Sequence, residues 1–355
     1  MTRIRRVAVL LFISMAMAIS SQVSAKNYNW TLAQTWDKNS LFSEAVNRFL
    51  ELTENLSGGR LTIKVDTQED HKKSSAIFDM VQQGEYQMGH AESSYWRKKD
   101  RNTLFFSSVP FGMITPEIYS WFYHGGGMEL MEKVYSQYGL LSFPGGNTGN
   151  QMVGWFRREV QCIEGLKGMT MRMTGIAGEV MRNIGVNIVD MPSNQLYPAL
   201  DEGELDAVGY IGPAVDFDLG FYKIAPFYYT GWSAPSSEMQ FLINDKAFKE
   251  LPDDLQNIVV KSMRLAAYDM YTRITHENGA KLTQIKKDFP NIKFRAFPPD
   301  IMKSLNRETQ RLIQDISDQG DDLTREIIAS LDDYKRNMRV WTRIGDQAYL
   351  NNSGI

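Results

Sequence analysis

The chain has 355 residues, with 39 lysines and arginines against 42 aspartates and glutamates and a formal net charge of −3. A mildly acidic chain without a basic patch is not typical of proteins that bind nucleic acid or anionic lipid. Its single cysteine, Cys162, excludes an intramolecular disulfide and a zinc site built on several thiolates. We therefore expect no nucleic-acid partner and no thiolate metal centre.

Residues 1–25 are predicted to be a signal peptide. A positive start is followed by an apolar stretch and by small residues at the cleavage positions: Arg3, Arg5 and Arg6, then Val7 to Ile19, then Val23-Ser24-Ala25. The apolar stretch is shorter than the roughly 20 residues of a comfortable membrane span. An uncleaved N-terminal anchor is the alternative interpretation. The pattern predicts that the mature chain is exported.

Strand and helix signals alternate through the first part of the mature chain. The predicted order is strand Tyr28 to Thr35, helix Leu41 to Leu56, strand Leu61 to Val65, helix Ser74 to Gln83 and strand Tyr86 to His90. This alternation predicts an α/β fold with mostly parallel sheets and helices on both faces. Ligands of such sheets gather at the carboxyl ends of strands, so Tyr95 is a candidate cleft residue. Packing at the rim of the fold is the equally weighted alternative for Tyr95.

The same alternation continues after a glycine-rich crossing near Gly145. Predicted strands lie at Met169 to Met173, Val186 to Met191 and Ala207 to Ile211, with helices between them. About 330 mature residues exceed one compact core, which favours two lobes. We expect lobe 1 to comprise residues 26–148 and about 236–275, and lobe 2 residues 149–235 and about 276–300. Residues 301–355 are predicted to form long helices that brace the lobes or contact a second subunit.

Arg172 stands alone in the otherwise apolar strand Met169 to Met173. A cation in a strand is costly to desolvate unless it meets a partner, and a guanidinium matches a carboxylate in a bidentate pair. Two interpretations remain open here: a structural ion pair with Glu179 or Asp190, and an anchor for the carboxylate of a ligand.

Several polar and aromatic side chains near Arg172 are candidates for the same pocket. Gln151 can donate and accept, and aromatic side chains can supply walls and hydroxyl groups; the candidate ligand-binding residues are Arg172, Gln151, Tyr95, Trp155, Tyr210, Gln240 and Asn147. Aromatic residues at this density lie more often in a core than in a binding site. We therefore expect part of this set to contact a ligand.

Signatures of enzymes are absent from the sequence. The four histidines are scattered, and we find no HExxH, no GxSxG and no GxGxxG after the first strand. We expect no catalytic residues and interpret the chain as a binding protein rather than an enzyme. A periplasmic ligand-sensing module stays open as an alternative, and an exported hydrolase is a weaker one.

Separated motifs in a consistent order give the chain a resemblance to a known family. They are GNTGNQMVGWFRREV, LKGMTMRM, EGELDAVGYIGP, LGFYKIAPFYYTGW, NDKAFKELPDDLQNIVV and YKRNMRVWTRIGDQAYLN. The chain resembles the DctP-type solute-binding subunits of tripartite ATP-independent periplasmic (TRAP) transporters, in particular the branch that binds α-keto acids and related monocarboxylates. The resemblance covers nearly the whole mature chain.

This resemblance implies a two-lobed periplasmic protein that closes on a small organic acid by a hinge and delivers it to the membrane permease. It implies that Arg172 matches the family's carboxylate-binding arginine and that Gln151 matches a glutamine near ligand and metal. It also makes a homodimer an expectation, with Trp341, Ile344 and Tyr349 as the contact face.

One departure from the resembling branch concerns its cation site. That branch carries a Glu-Trp pair where this chain has Gly209-Tyr210, and a second glutamate that we match to Gln240. Because affinity for Na⁺ or Ca²⁺ follows the number of carboxylates, we expect no metal or a weakly bound one. Gly209 is also expected to free volume beside Arg172, which favours a monocarboxylate larger than pyruvate. Filling of that volume by Tyr210 or Trp155 is the alternative.

Overall fold

The structure is a computed structural model that describes residues 26–71 and 74–353. The predicted signal peptide, residues 1–25, lies outside the described residues. Within the described ranges, no helix combines the length and the apolar character needed to cross a membrane. The described chain forms two β-sheets flanked by helices, which confirms the predicted α/β architecture.

The strands in chain order are β1 (Tyr28–Gln34), β2 (Leu61–Asp66), β3 (Met88–Glu92), β4 (Leu140–Asn147), β5 (Gly154–Phe156), β6 (Thr170–Arg172), β7 (Asn187–Val189), β8 (Ala207–Val208), β9 (Phe227–Tyr229), β10 (Glu238–Asn244) and β11 (Lys293–Arg295). The α-helices are α1 (Ser43–Ser57), α2 (Gln68–His71), α3 (Ile77–Gln83), α4 (Thr115–His124), α5 (Gly127–Ser136), α6 (Gly175–Asn183), α7 (Ser193–Glu202), α8 (Pro213–Leu219), α9 (Asp245–Lys249), α10 (Asp253–Asp288), α11 (Pro299–Gln319), α12 (Asp322–Thr342) and α13 (Ala348–Asn352).

The first sheet has the strand order β2-β1-β3-β10-β4 and forms lobe 1. β1 is parallel to β2 and β3, as predicted, whereas β10 is antiparallel to both β3 and β4. The expectation of mostly parallel pairing is therefore wrong for β10. The reason is that β10 enters from the other lobe through residues 230–237 rather than through a crossover helix, which parallel neighbours require.

The second sheet has the order β11-β9-β5-β8-β6-β7 and forms lobe 2. β6 lies between β7 and β8 and is parallel to both, while β5 is antiparallel to β8 and β9. As in lobe 1, the antiparallel strand is the one that arrives directly from the other lobe. This arrangement places the carboxyl ends of β6 and β8 side by side.

Two extended segments, residues 148–153 and 230–237, cross between the lobes as a pair. The amide of Thr148 donates to the carbonyl of Ser237 at 3.0 Å, and the amide of Gln151 donates to the carbonyl of Ala234 at 2.8 Å. The segments approach so closely that a Cβ atom on Gly231 would lie 1.8 Å from the Gln151 carbonyl oxygen. Position 231 therefore requires glycine.

A single helix, α10, forms the third connection. It has 36 residues and contacts α1 and β4 of lobe 1 as well as α8 of lobe 2. The C-terminal helices also touch both lobes, since α11 packs on α6 of lobe 2 and α12 packs on α4 and α5 of lobe 1.

One group of buried apolar side chains covers the sheet of lobe 1, another covers the sheet of lobe 2, and a third includes residues of both lobes. In lobe 1, Phe49 of α1 packs against Phe241 of β10 with ring centroids 4.9 Å apart. In lobe 2, Trp155 of β5 stacks on Tyr228 of β9 with centroids 4.0 Å apart. Each sheet thus has its own buried support, and the polar carboxyl ends of its strands are left to face the other lobe.

Candidate functional site

A cavity of about 90 Å³ lies between the two lobes. A single buried water needs about 10–15 Å³ of such space, so the cavity has room for a small organic molecule. Its walls come from the carboxyl ends of β3, β6 and β8 and from both crossing segments. This is where α/β sheets place their ligands. A larger groove of about 520 Å³ lies on lobe 1 between α4 and α10, away from these strand ends.

Arg172 is the last residue of β6 and lines the cavity. Its Nη1 donates to the carbonyl oxygen of Gly209 at 2.9 Å, and its guanidinium carbon lies 5.1 Å from the ring centroid of Tyr210. Its Nε is buried without a hydrogen-bond partner among the described residues. Part of the guanidinium is fixed and part is available to a ligand.

The structural ion pairs proposed for Arg172 do not form. Glu179 instead binds Arg101 of lobe 1, with 3.0 Å between Nη2 and the carboxylate oxygen. Among the side chains that the structure describes, which leave out those of residues 68 and 69, no carboxylate lies within 4.0 Å of the Arg172 guanidinium. The geometry therefore favours the second interpretation, in which the carboxylate is supplied by a bound molecule.

The start of helix α6 adds further donors beside Arg172. Thr174, Gly175, Ile176 and Ala177 line the cavity, and Thr174 is the residue that precedes the helix. The first amides of a helix have no partner within the helix and carry its positive dipole end. An anion at Arg172 would thus lie close to a helix terminus that also favours negative charge.

Three other predicted residues also line the cavity: Gln151, Tyr95 and Tyr210. Gln151 Nε2 donates to Thr148 Oγ1 at 3.0 Å, which orients its amide. Burial raises the pKa of Tyr95, and the charge of Glu92 raises it further. Burial also raises the pKa of Tyr210, although the nearby charge of Arg172 opposes this shift. Both phenols therefore stay protonated at neutral pH and can donate hydrogen bonds.

The structure does not bring the remaining three predicted residues, Trp155, Gln240 and Asn147, to the cavity. Trp155 is fully buried in lobe 2, where its Nε1 donates to Asp216 at 3.1 Å. Gln240 is fully buried in lobe 1, and its carbonyl oxygen accepts from Tyr135 and Ser142 at 2.7 and 3.0 Å. Their predicted contact with ligand is corrected, because each is fully buried and hydrogen-bonded to residues of its own lobe.

Asn147 has a structural role at the end of β4. Its Nδ2 donates to Glu238 Oε2 at 2.7 Å, and its Oδ1 accepts from Thr115 Oγ1 at 2.8 Å. Glu238 also accepts from the amides of Gly145 and Gly146. Burial raises the pKa of Glu238 to about 8. Asn147 thus fastens the start of a crossing segment and is fully buried.

The volume expected beside Gly209 is already filled. A Cβ atom at this position would lie 2.8 Å from the carbonyl oxygen of Val153, 3.0 Å from Cε of Met173 and 3.3 Å from Cε of Met171. The expectation that glycine here frees space for a larger acid is therefore wrong. The two methionines of the neighbouring strand occupy that space, rather than the Tyr210 or Trp155 side chains considered from the sequence.

Sequence reasoning did not single out Glu92, which lines the cavity at the end of β3. Its Oε1 accepts from Ser94 Oγ at 3.0 Å and from Ser107 Oγ at 2.6 Å. The position after a predicted strand was the available signal, since Glu92 lies in the same short segment as Tyr95. A lone glutamate in that segment gave no reason to prefer it over the aromatic residues.

Trp36 is a second cavity residue that the sequence did not reveal. Its Nε1 donates to Nδ1 of His90 at 2.9 Å, and Nε2 of His90 bonds to the Gly145 carbonyl oxygen at 2.9 Å. Burial lowers the pKa of His90 to about 4, so the imidazole is neutral at physiological pH. The buried His90 thus links the indole of Trp36, in the cavity wall, to strand β4.

The donor set of the cavity does not fit a tightly bound Na⁺ or Ca²⁺ ion. Ca²⁺ takes six to eight oxygen ligands, and its affinity depends on the number of carboxylates among them. Among the cavity-lining residues that the structure describes, Glu92 supplies the one carboxylate, and one of its oxygens already accepts from two serines. Across the described ranges, no three His, Cys, Asp or Glu side chains are grouped as a metal site.

Two α/β lobes with a small polar cavity between them, and a free guanidinium in its wall, define the class of two-lobed solute-binding proteins. The profile of "Bacterial extracellular solute-binding protein, family 7" (DctP) matches residues 32–319. The chain belongs to this family, which confirms the resemblance drawn from its motifs.

Relatives of known structure or name share nearly the whole chain. A monocarboxylate 2-oxoacid-binding periplasmic protein of Nostoc sp. is 30% identical over 336 residues, which are 94% of this chain and 91% of the relative. A crystal structure of a TRAP periplasmic solute-binding protein of Colwellia psychrerythraea, with bound calcium and pyruvate, is 48% identical to this chain and superposes with a TM-score of 0.90. The alignment covers 92% of this chain and 100% of that protein. A TRAP periplasmic solute-binding protein of Pseudoalteromonas atlantica, with bound sodium and pyruvate, is also 48% identical and has a TM-score of 0.88. That alignment covers 92% of this chain and 99% of the other protein.

Proposed function

We propose that this chain is the periplasmic solute-binding subunit of a TRAP transporter, which captures a small organic acid and delivers it to the membrane permease. The observation that carries the proposal is the Arg172 guanidinium, which lines the cavity without a carboxylate partner among the described residues. A small monocarboxylate would form a bidentate ion pair there and would satisfy the buried Nε. The pyruvate bound by the two 48% identical structures supports this ligand class.

The ligand carboxylate would be held by lobe 2 and the rest of the molecule by lobe 1. Arg172 and the start of α6 belong to lobe 2, whereas Tyr95 and Glu92 belong to lobe 1. A ligand that contacts both lobes stabilises the closed arrangement, because its affinity is higher for that arrangement than for an open one. The hinge would be formed by the paired segments 148–153 and 230–237, near the lobe boundaries proposed at residues 148 and 235.

We propose that binding does not depend on a tightly held cation. The two solved relatives have bound calcium or sodium as well as bound pyruvate. In this chain position 209 is glycine and Gln240 is buried among Tyr135 and Ser142, so neither supplies a cavity carboxylate. Weak binding of Na⁺ or Ca²⁺ through Gln151 and backbone oxygens is compatible with this proposal.

The binding role is proposed in preference to catalysis. The family is one of solute-binding proteins, and none of the described cavity-lining residues is a histidine or a cysteine. The periplasm is the proposed location, because the relatives from Nostoc sp. and Colwellia psychrerythraea are periplasmic proteins by name.

A homodimer is the proposed assembly. The end of the chain exposes apolar side chains on one stretch, at 62% for Trp341, 70% for Ile344 and 74% for Tyr349. The groove of about 520 Å³ between α4 and α10 adds the apolar surface of Tyr119, Tyr123, Leu265 and Tyr268. A second copy that covers these surfaces would remove an unusually apolar patch from water. Light scattering of wild type and of Trp341→Ser/Ile344→Ser tests this, and equal monomeric masses would contradict it.

The experiment that tests the function is a thermal-shift screen of ligand-stripped mature protein. Small carboxylates are compared with their uncharged amides, first in EDTA and then with added Na⁺ or Ca²⁺. A ligand at a hundredfold excess over its Kd stabilises the native state by about 2.7 kcal/mol. We expect shifts with acids in EDTA and none with the amides. Equal shifts with acids and amides, or none with any acid, would contradict the proposal.

A further inference from the structure

We propose that Glu92 makes this cavity selective for carboxylic acids that also carry a hydrogen-bond donor, an ammonium or a hydroxyl group, over the corresponding 2-oxo acids. This inference rests on the proposed function, because it assumes that Arg172 holds the carboxylate of the ligand. It concerns the second polar contact of the same molecule, on the wall formed by lobe 1.

One carboxylate oxygen of Glu92 is held by hydrogen bonds from two serines, and the other is available to a molecule in the cavity. Oε1 accepts from Ser94 Oγ at 3.0 Å and from Ser107 Oγ at 2.6 Å. Oε2 makes no hydrogen bond to the residues that the structure describes. Two hydroxyl donors on the same oxygen orient the carboxylate, so its second oxygen is a fixed acceptor for a ligand.

Charge balance in the cavity leads to the same ligand class. The described lining contains one cationic side chain, Arg172, and one anionic side chain, Glu92, which come from opposite lobes. They are not paired with each other, since their charged atoms are more than 4.0 Å apart. A monocarboxylate that neutralises Arg172 leaves the charge of Glu92 without a partner. A ligand with an ammonium group neutralises both charges, and a hydroxyl group satisfies the acceptor.

A 2-oxo acid lacks a donor for the free oxygen of Glu92. Its oxo oxygen is an acceptor, and two acceptors facing each other in a buried site repel unless a cation lies between them. The donor set described above does not fit a tightly bound cation. Glu92 therefore disfavours an oxo group that faces its free oxygen and favours a donor at that position of the ligand, whereas Tyr95 can donate to other ligand atoms.

The test uses acids matched in size that differ in one group. Alanine, lactate and pyruvate share a three-carbon skeleton, and phenylalanine, phenyllactate and phenylpyruvate repeat the comparison with a larger side chain. Dissociation constants are measured by calorimetry with ligand-stripped full-length mature protein, first in EDTA and then with added Ca²⁺ or Na⁺. We expect the best amino or hydroxy acid to bind at least about tenfold tighter than its 2-oxo counterpart, as for one hydrogen bond to a charged group.

Glu92→Gln keeps the size of the side chain, removes its charge and adds an N–H donor. We expect this variant to lose about tenfold or more of the preference, with weaker binding of the amino acid and tighter binding of the 2-oxo acid. Glu85→Gln, at an exposed position before β3, is the matched control and should keep the wild-type preference. Unfolding curves of both variants verify that they are folded.

The outcomes separate this inference from the proposed function. Acids that bind wild type but show the same order of affinities in Glu92→Gln overturn the inference and leave the function in place. A 2-oxo acid that binds only with Ca²⁺ or Na⁺, and loses that dependence in Glu92→Gln, also overturns it, because Glu92 would then be a cation ligand. Failure of all six acids to bind wild type contradicts the proposed function, and the inference with it.

Discussion

Nη1 of Arg172 donates a hydrogen bond to the carbonyl oxygen of Gly209 at 2.9 Å, while Nε of the same side chain is buried without a partner among the described residues. The first contact fixes the direction of the guanidinium. The second leaves a donor unsatisfied, which costs free energy until an acceptor arrives. A ligand carboxylate is thus stabilised by charge and by a hydrogen bond that the free protein lacks.

The first prediction concerns Arg172→Gln, which removes the charge but retains an amide donor. We expect the affinity for carboxylates to fall by about a hundredfold or more, the size of a charge-assisted bidentate pair. The measurement is calorimetric titration with the best acid from the thermal-shift screen. Arg182→Gln, an exposed arginine on α6, is the control and should bind like wild type. An unchanged Kd in Arg172→Gln would show that the carboxylate lies elsewhere.

The second prediction concerns the close packing around Gly209. Gly209→Ala would place a Cβ atom 2.8 Å from the Val153 carbonyl oxygen and 3.0 Å from Cε of Met173. We expect a loss of about 1–3 kcal/mol in the free energy of unfolding, as for overpacked cores. Affinity should also fall, because Gly209 orients Arg172. Gly165→Ala, where a Cβ atom meets nothing within 4 Å, is the control for denaturant unfolding. Equal stability of the two variants would refute the packing account.

The third prediction concerns the pH dependence that His90 gives to stability. Burial lowers the pKa of His90 to about 4, against about 6.5 in an unfolded chain. The unfolded state therefore binds more protons between these values, and the His90 contribution to stability is lost as pH falls from about 6.5 to about 4. The loss amounts to about 3 kcal/mol.

The variant His90→Gln removes this titration. Because other carboxylates also titrate in this range, the measured quantity is the difference between wild type and variant in the free energy of unfolding at several pH values. The difference should shrink as pH is lowered from 6.5 toward 4 and be constant above about 7. A difference that does not change with pH would mean that His90 has an ordinary pKa in the folded protein.

The fourth prediction concerns the contact of α12 with lobe 1. Glu117, with a side chain 2% exposed, accepts two hydrogen bonds from Arg339, at 3.0 and 2.8 Å. Arg339→Met should destabilise the protein by about 3 kcal/mol, because it leaves a buried carboxylate without its cation. Arg336→Met, on the exposed side of the same helix, should change stability by less than about 0.5 kcal/mol. Thermal unfolding distinguishes the two, and similar effects would contradict a specific role for the buried pair.

The sequence predicted the two-sheet fold and the position of Arg172 well, for identifiable reasons. The alternation of apolar runs and glycine-terminated helices determines strands and helices locally. A lone arginine in an apolar strand is conspicuous because a buried guanidinium is costly unless it pairs with a carboxylate or a similar acceptor. The structure then placed Arg172 at the carboxyl end of β6 in the cavity wall. Its role as the anchor of a ligand stays a prediction.

The remaining parts of the site depend on which face of a sheet each side chain occupies and on which strands are neighbours. A single sequence indicates both poorly. Trp155 and Gln240 lie in strands that are buried on both faces. The strands therefore show no alternation of apolar and polar residues that could indicate which side chains face the cavity. The space beside Gly209 is filled by Met171 and Met173 of an adjacent strand, a pairing between β6 and β8 that is distant in sequence. Glu92 became a candidate when the structure showed two serines holding one of its oxygens.

The most direct test of this account is a crystal structure of the mature protein with its best-binding acid. The quantity to measure is the distance from the ligand carboxylate oxygens to the nitrogens of Arg172. We expect both oxygens within about 3 Å of the guanidinium, the distance of a bidentate charge-assisted pair. A ligand whose carboxylate lies against another part of the cavity, with Arg172 bound only by protein atoms, would contradict the central claim.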